Sequence, residues 1–362
     1  MPQEKLLKRM KNIYFYSTDT KISHTSACLM QGLILLGGYK IFSNLDVSNI
    51  DSRGLSTPSI HLSEVSVKNH DNSEDILIVD ERREISSKIF DPVFIDFYNN
   101  LSIISQIKRV VVLSMSDDVN LTAFPANLEV YIAHFNSQAN LNPHAKPLPI
   151  GVSLDIIQKS ENYLKNSKKR SKAIINNFNI TLNQSIRAAL ELSLVPLLES
   201  EFQILAESMD NDEYAEKLTS SCAILAYGGS FYQNHLTYKY LRDLNEHNPI
   251  ALAMNNFAAL GKRTAVFRWD SWRFWEAMIF ACPAIQLDFE KYGFVFPVIP
   301  TPWKHYIPVE FSDLKAIKDT LADALNHNED YLYELGLNAR SWTLENYHPT
   351  MYAQRVLDLN GA

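Results

Sequence analysis

The chain has 362 residues, of which 46% are hydrophobic and 21% are charged, and its net charge at neutral pH is −7. This length predicts about two domains, and the composition is that of a globular protein with a large core. The net negative charge argues against a surface built for nucleic acid or anionic membranes, so we expect no nucleic-acid partner and at most peripheral membrane contact.

Three cysteines lie far apart, at Cys28, Cys222 and Cys282. An odd number without a CxxC pair predicts neither a disulfide framework nor a zinc site and fits a reducing compartment. Residues 1–17 contain no apolar stretch as long as a secretory signal needs, and no segment reaches about 18 consecutive apolar residues. We therefore expect a soluble, cytoplasmic protein.

The first part of the chain alternates short apolar runs with longer helical ones. After a strand at 12–17, the apolar residues of 24–38 predict a helix that Thr25 or Ser26 caps and Gly37-Gly38 ends. This β-α-β order is typical of a parallel sheet with crossover helices. Further strands of this sheet are predicted at 39–44, 75–80, 109–118 and 128–135.

The same order resumes after a crossing segment at 146–155. The sequence thus predicts an α/β fold of two Rossmann-like domains that face a cleft: residues 1–150, residues 151–345, and a helix in 346–362 that crosses back to the first domain. In such folds ligands bind beyond the carboxyl ends of the strands. Strands of the second domain are predicted at 173–178, 202–208, 222–228, 263–269 and 283–288, and helices at 183–200, 210–221, 236–248, 271–281 and 311–347.

The decapeptide RWDSWRFWEA, residues 268–277, follows one of these strands. Asp270 is a natural N-cap there, and Ser271 would begin the helix. A helix start suits phosphate, and Arg273 in the first turn opposes the helix dipole unless an anion or a carboxylate lies nearby. Glu276 lies on about the same face, so a capped, buried helix with a structural Arg273–Glu276 pair is the alternative.

Residues 261–355 resemble the C-terminal half of glycosyltransferases of the GT-B fold, and residues 173–190 resemble the start of their donor domain. The resemblance is to the exostosin-like enzymes and, more closely, to the capsular xylosyltransferases and protein O-glucosyltransferases. These families share an S-R helix start with a downstream acid, an apolar strand, and a PW-HY-PV stretch before a terminal helical region. The matching residues here are Ser271, Arg273 and Glu276, PAIQLD at 283–288, PWKHYIPV at 302–309 and FSDLKAIKDTL at 311–321.

The resemblance implies a nucleotide-sugar site in the second domain. Arg273 and the Ser271 helix start would hold the diphosphate, and Glu276 would accept hydrogen bonds from ribose hydroxyls. Asp270 would contact the sugar or cap the helix, two roles that the sequence leaves open. Second contacts to phosphate or sugar are implied at Arg268 and His305, although a rigid aromatic loop also explains His305.

An inverting glycosyltransferase needs a base for the acceptor hydroxyl, and in this fold the base comes from the first domain. His24, with Asp19 nearby, follows the first strand, and Asp117 and Asp118 follow another. His24 and Asp117 each have an alternative explanation as a helix cap. A weaker candidate is His134.

The acidic triplet DND at 210–212 resembles a metal-binding DxD motif, but helix capping explains it better. We therefore predict no metal and no cofactor besides the donor. The predicted function is transfer of a sugar from a nucleotide-sugar, most simply a UDP-sugar, to a hydroxyl of a glycan, lipid-linked or protein acceptor. The alternatives are a two-lobed protein that binds nucleotide or sugar without catalysis, and a GT-B-like sugar epimerase.

Overall fold

A computed structural model describes residues 11–50, 55, 57–60, 65–67, 76–82, 97–98, 109–115, 124–137, 144–164, 170–177, 185–232, 265–267, 269–327 and 329–357. Two parallel sheets organise these residues into two units, as the alternating pattern predicts. Parallel strands with crossover helices are covered on both faces, which explains why the central strands are rich in apolar residues.

The first sheet has the strand order β3-β2-β1-β4-β5-β6-β7, and every neighbouring pair is parallel. Every residue of its central strands β4 and β5 is buried. The strands are β1 (Lys11–Ser17), β2 (Tyr39–Ser43), β3 (Val65–Val67), β4 (Ile76–Glu81), β5 (Val110–Ser114), β6 (Glu129–Ile132) and β7 (Lys146–Pro147).

The second sheet has the order β14-β13-β10-β8-β9 and is also parallel. The predicted strand at 263–269 is outside this sheet: its described part pairs antiparallel with a short strand to form a separate ribbon. The strands are β8 (Ser171–Ile175), β9 (Gln203–Leu205), β10 (Ser221–Leu225), β11 (Ser230–Tyr232), β12 (Ala265–Phe267), β13 (Ala284–Leu287) and β14 (Ile307–Val309).

Helices connect the strands and cover the sheets. They are α1 (His24–Leu36), α2 (Leu154–Leu164), α3 (Ser185–Ser193), α4 (Val195–Glu199), α5 (Asn211–Ser220), α6 (Trp272–Ile279), α7 (Leu314–His327), α8 (Glu329–Tyr347) and α9 (Pro349–Val356). Among the described helices, none combines the length and the apolar character that a membrane crossing requires.

Helix α1 begins earlier than the sequence suggests. Its N-cap is Ser23, whose side chain accepts a hydrogen bond from the Ser26 backbone N–H, so the capping roles predicted for Thr25 or Ser26 are wrong. The error arises because the apolar periodicity starts after the first helical residues, which are polar but buried. The other end is as predicted: Gly37 has φ 67°, a conformation that favours glycine, and closes the helix.

Helix α9 packs against α1 of the first unit. The contact is so close that a Cβ on Gly32 would lie 1.9 Å from the carbonyl oxygen of Pro349. At the end of α9, Arg109 of the first unit donates hydrogen bonds to the carbonyl oxygens of Val356 and Leu357, at 3.1 and 2.8 Å. The chain therefore returns to the first unit after building the second.

We expect Gly32→Ala to destabilise the protein by about 1–3 kcal/mol, because the added methyl group meets backbone that cannot rotate away. The measurement is urea unfolding followed by circular dichroism. Leu35→Ala, at a side chain of the same helix that is 51% exposed, is the control and should change stability by less than about 0.5 kcal/mol. Equal stability of the two variants would contradict the α1–α9 packing.

Candidate active site

The carboxyl ends of β8 and β10 form the floor of the candidate site. The chain leaves β8 at Asn176 and Asn177, and leaves β10 through Tyr227 and a Gly-Gly pair. The start of α3 lies against this edge, because the Ile186 backbone N–H donates to the carbonyl oxygen of Gly229 at 3.3 Å. The start of α6 reaches the same edge through Arg273. Two helix starts therefore meet at the ends of two neighbouring strands, as the Rossmann-like pattern predicts.

Arg273 lies in the first turn of α6 and reaches across to the end of β8. Its Nε donates to Oδ1 of Asn177 at 2.9 Å, and its terminal nitrogen donates to the carbonyl oxygen of Asn177 at 2.7 Å. The side chain is half-buried. These bonds aim the guanidinium group along the strand ends, where a ligand of such a sheet would lie.

A second arginine, Arg187 of α3, lies in the same region and is only 8% exposed. Its Nε donates to the carbonyl oxygen of Tyr227 at 3.2 Å. Burial and, to a smaller extent, the like charge of Arg273 lower the pKa of Arg187 to about 10. Two positive charges brought together in a partly buried edge are stabilised by an anion that accepts hydrogen bonds from both.

Sequence reasoning missed Arg187 and Asn177. The signal was present: Arg187 stands near the start of a helix that follows a strand, the same context that drew attention to Arg273. Asn177 lies near the end of the predicted strand at 173–178, which in the structure already ends at Ile175. The sequence predicts the helix at 183–200 but does not show which way Arg187 points.

The structure corrects the predicted helix start. Ser271, not Asp270, is the N-cap of α6, and the Ser271 side chain makes no capping hydrogen bond with a described residue. The Asp270 carboxylate instead accepts hydrogen bonds from the Ile150 backbone N–H and from the Trp275 indole N–H, both at 2.6 Å. Burial raises its pKa to about 6. Asp270 is therefore not the cap of the helix, and its carboxylate is not open to a sugar in the way the prediction required.

Glu276 is 2% exposed and joins the two units. One carboxylate oxygen accepts a hydrogen bond from the Leu55 backbone N–H at 2.7 Å, and the other accepts one from the Tyr214 hydroxyl at 3.0 Å. Burial raises the pKa of Glu276, and the charge of Arg273 acts in the opposite direction. The ribose contact predicted for Glu276 would have to share oxygens that already bind protein donors.

His24 of the first unit lies directly against the start of α6. Its ring meets the ring of Trp272 edge-on, with centroids 4.0 Å apart, next in sequence to Arg273. It is the first residue of α1 rather than its cap, and it is 6% exposed. The predicted base candidate is therefore brought to the donor-side helix.

Two acids at the end of β4 were also missed. Asp80 is 1% exposed, accepts a hydrogen bond from the Ser23 backbone N–H at 2.6 Å, and has a pKa that burial raises to about 6. Glu81 accepts hydrogen bonds from Thr18 and Tyr98, at 3.0 and 2.6 Å. The pair ends a predicted strand, which was a usable signal. Asp80 fixes the turn that carries His24.

The structure assigns His305 to the aromatic loop that was the alternative explanation. Its Nδ1 accepts a hydrogen bond from the Thr301 backbone N–H at 2.8 Å, and its ring stacks on Trp342 with centroids 5.8 Å apart. Burial lowers its pKa to about 4. The donor contact predicted for His305 is therefore not supported by its position.

Three predicted site residues, Arg268, Asp117 and Asp118, lie outside the described residues. The weaker base candidate, His134, is described: its Nδ1 accepts a hydrogen bond from the Asp270 backbone N–H at 3.0 Å.

The acidic triplet at 210–212 caps a helix. Asp210 is the N-cap of α5, and its side chain accepts hydrogen bonds from the backbone N–H groups of Asp212 and Glu213. Within the part of the chain that the structure describes, no three His, Cys, Asp or Glu side chains form a group that could hold a metal ion.

No family model matches the chain, and no curated protein matches its sequence. Solved structures of an alpha-glucosyltransferase do match. Its complex with UDP and a 13-mer DNA containing a central A:G mismatch has a TM-score of 0.54 and 11% identity, over 97% of this chain and 99% of that chain. Its complex with UDP-glucose and DNA containing an abasic site, and its complex with UDP, each have a TM-score of 0.51 at the same identity and coverage.

At 11% identity this likeness shows the fold. The two-sheet α/β architecture of the GT-B glycosyltransferases, predicted from the sequence, is confirmed. The expectation of no nucleic-acid partner gains no support, because a protein of this fold was solved with DNA.

The position of His305 predicts a pH effect on stability. The folded chain holds the pKa of His305 at about 4, below its ordinary value of 6.5, so the unfolded chain takes up the proton first. Stability from this group is therefore lost as pH falls from about 6.5 to 4. In His305→Asn, whose amide oxygen can still accept the Thr301 N–H but does not titrate, urea unfolding midpoints should fall less steeply over this window. Parallel slopes would contradict the buried, neutral His305.

Proposed function

We propose that the chain is a glycosyltransferase that moves a sugar from a nucleotide-sugar, of the UDP class, to an acceptor hydroxyl without a bound metal. The observation that carries the proposal is the pair Arg187 and Arg273. Both are anchored to strand ends, both lie near helix starts, and the charge of one lowers the pKa of the other. A diphosphate supplies two adjacent negative groups for two such guanidinium ions.

The arrangement stabilises the charge that develops when the nucleoside diphosphate leaves. Guanidinium groups held in place by Asn177 and Tyr227 need little reorganisation as the bond to the sugar breaks. The start of α6 adds backbone N–H groups and the positive end of the helix dipole. These two sources of positive charge take the role that a metal ion would otherwise fill.

We assign His24 as the base for the acceptor hydroxyl. It comes from the first unit, and its ring touches Trp272, the residue before Arg273, so the base lies against the same short segment that carries the diphosphate site. Asp80 holds the turn before His24 through the Ser23 N–H. The base candidates Asp117 and Asp118, the donor contact Arg268, and the ribose contact of Glu276 stay predictions.

The solved alpha-glucosyltransferase of this fold, which was crystallised with UDP and UDP-glucose, makes UDP-glucose the first donor to test. The C-terminal motif resembles those of the exostosin-like enzymes, the capsular xylosyltransferases and the protein O-glucosyltransferases, which makes UDP-xylose the second. We further propose a cytoplasmic location, domain limits of 1–150 and 151–345, and a crossing helix within 346–362. Acceptor trials should include glycans, lipid-linked sugars, proteins and DNA.

The diphosphate site predicts that UDP raises the thermal stability of the protein. At 100 times Kd the stabilisation should be about 2.7 kcal/mol, measured by thermal unfolding monitored with a fluorescent dye. Arg273→Ala and Arg187→Met should each remove most of this gain, because each deletes a guanidinium group that binds phosphate. Lys315→Ala, at a lysine side chain that is 73% exposed on α7, is the control and should respond to UDP as the wild type does. A full response of the Arg273→Ala variant would contradict the site.

The role of His24 predicts a loss of turnover without a loss of donor binding. Release of UDP from a panel of UDP-sugars should be about 10²- to 10⁴-fold slower in His24→Asn, the usual effect of removing a general base. Calorimetric binding of UDP should stay close to the wild-type value. His144→Asn, at an exposed histidine, is the matched control.

Three outcomes would change the proposal. Normal turnover of the His24→Asn variant would remove His24 as the base. Binding of UDP by the wild type, without release or transfer from any donor, would indicate a non-catalytic binding protein. Conversion of the donor into an isomeric UDP-sugar would indicate an epimerase.

A further inference from the structure

One carboxylate joins the start of α6 to the segment where the chain passes between the two units. Asp270 Oδ2 accepts a hydrogen bond from the Ile150 backbone N–H, and Oδ1 accepts one from the Trp275 indole N–H, each at 2.6 Å. Ile150 lies between β7 and α2, whereas Trp275 is the fourth residue of α6. Both donors are N–H groups, which cannot reverse their role.

The backbone of Asp270 reaches a third element. Its N–H donates to Nδ1 of His134, which follows β6 of the first unit. His134 has φ 51°, a left-handed conformation that costs an L-residue free energy and persists only where its surroundings demand it. We call Asp270, Ile150, Trp275 and His134 the Asp270 clasp.

Residues next to His134 also make hydrogen bonds to the second unit. The Trp269 indole N–H donates to the carbonyl oxygen of Phe135 at 3.2 Å. The Asn136 side chain donates to the carbonyl oxygens of Val266 and Tyr292, both at 2.9 Å. The residues after β6 are therefore hydrogen-bonded to residues of the second unit that come before Asp270 in the chain and to one that comes after it.

Asp270 lies three residues before Arg273 and two residues before Trp272, and the ring of His24 touches Trp272. Because a helical turn is stiff, the place where Asp270 is held determines where Trp272 and Arg273 project. The clasp thereby controls the distance between the proposed base of the first unit and the proposed diphosphate site of the second.

We propose that Asp270 is a positioning residue that sets the alignment of the two units, and with it the placement of His24 relative to Arg273. The part that concerns catalysis rests on the proposed function; the alignment itself does not. Asp270 contacts neither substrate nor reacting atoms in this proposal. The two hydrogen bonds that its carboxylate accepts act indirectly, because they fix the first turn of α6 and with it the positions of Trp272 and Arg273.

Asp270→Asn tests the clasp, because an amide has one acceptor oxygen and must place its NH₂ against one of two N–H donors. Pulsed electron spin resonance distances between labels at Asn127→Cys and Lys315→Cys, both exposed positions, report alignment. The native cysteines are buried and should not react with the label. We expect a broader or shifted distance distribution in the folded Asp270→Asn variant than in the wild type.

Trp275→Phe supplies the second variant. It removes the indole N–H, so in the double variant with Asp270→Asn the amide oxygen can accept from Ile150 while the NH₂ faces an aromatic ring. The double variant should regain the distribution of Trp275→Phe alone. Asp313→Asn, at an exposed carboxylate that accepts the Ala316 N–H at the start of α7, is the control and should match the wild type.

Kinetics give the second readout. With the donor that the wild type turns over fastest, the Asp270→Asn variant should release UDP about 10- to 100-fold more slowly, as small misplacements of reacting groups do, while its UDP affinity changes by less than about 3-fold. An effect on folding alone would lower the melting temperature and leave both the distances and the turnover of the folded protein unchanged.

Unchanged distances in Asp270→Asn, or no recovery in the double variant, would overturn the positioning role. If the wild type neither binds UDP nor turns over any donor, the proposed function fails, and the distance measurements alone then decide the role of Asp270.

Discussion

The segment from Trp269 to Glu276 is held by the first unit at three points, and the geometry of the site depends on this. The clasp fixes one end to the residues after β6, the Trp272 ring meets His24 at the start of α1, and Glu276 accepts the Leu55 N–H. The helix that carries Arg273 thus belongs to the second unit by chain order but is positioned by both. A donor site in one unit and a base in the other need such a fixed relation if they are to act on one sugar.

The buried carboxylates of Asp80 and Asp270 differ in environment from the arginines of the candidate site. Asp80 and Asp270 are buried among backbone donors, and the pKa of each is raised to about 6. The arginines lie beyond them at the strand ends, where Arg187 already has a lowered pKa. Hydrogen bonds to protein donors compensate the buried carboxylates, so these acids do not neutralise the arginines. Glu276 differs from these two acids, because the charge of Arg273 acts to lower its pKa.

The sequence predicts the architecture well because two apolar periodicities, those of buried strand and crossover helix, alternate along the whole chain. It also draws attention to Arg273 and His24, since each follows a predicted strand, and the structure places the His24 ring against Trp272, next to Arg273. It fails where a role depends on partners distant in sequence. Asp270 looks like a cap locally, but its acceptor oxygens are taken by Ile150 and by an indole one turn later.

His305 and Arg187 illustrate this failure in two ways: His305 was predicted as a site residue and is not placed as one, whereas Arg187 was not predicted and lies at the candidate site. The motif around His305 resembles a donor site, yet stacking on Trp342, which is 37 positions away (342 − 305), decides its environment. Arg187 lies in a predicted helix whose ligand-facing side the sequence does not show, yet in the structure it donates to the carbonyl oxygen of Tyr227, just after β10. Local pattern gives the element, whereas tertiary packing decides which face of the element meets the ligand.

The missing side chain at Gly32 has a consequence for biosynthesis. Helix α1 is formed by residues near the beginning of the chain, but the surface around Gly32 is covered by α9, more than 300 positions later. During synthesis this face of α1 therefore stays uncovered until more than 300 further residues have been added. Apolar surface that is left uncovered during folding favours aggregation, so late covering of α1 makes the first unit vulnerable until α9 has docked.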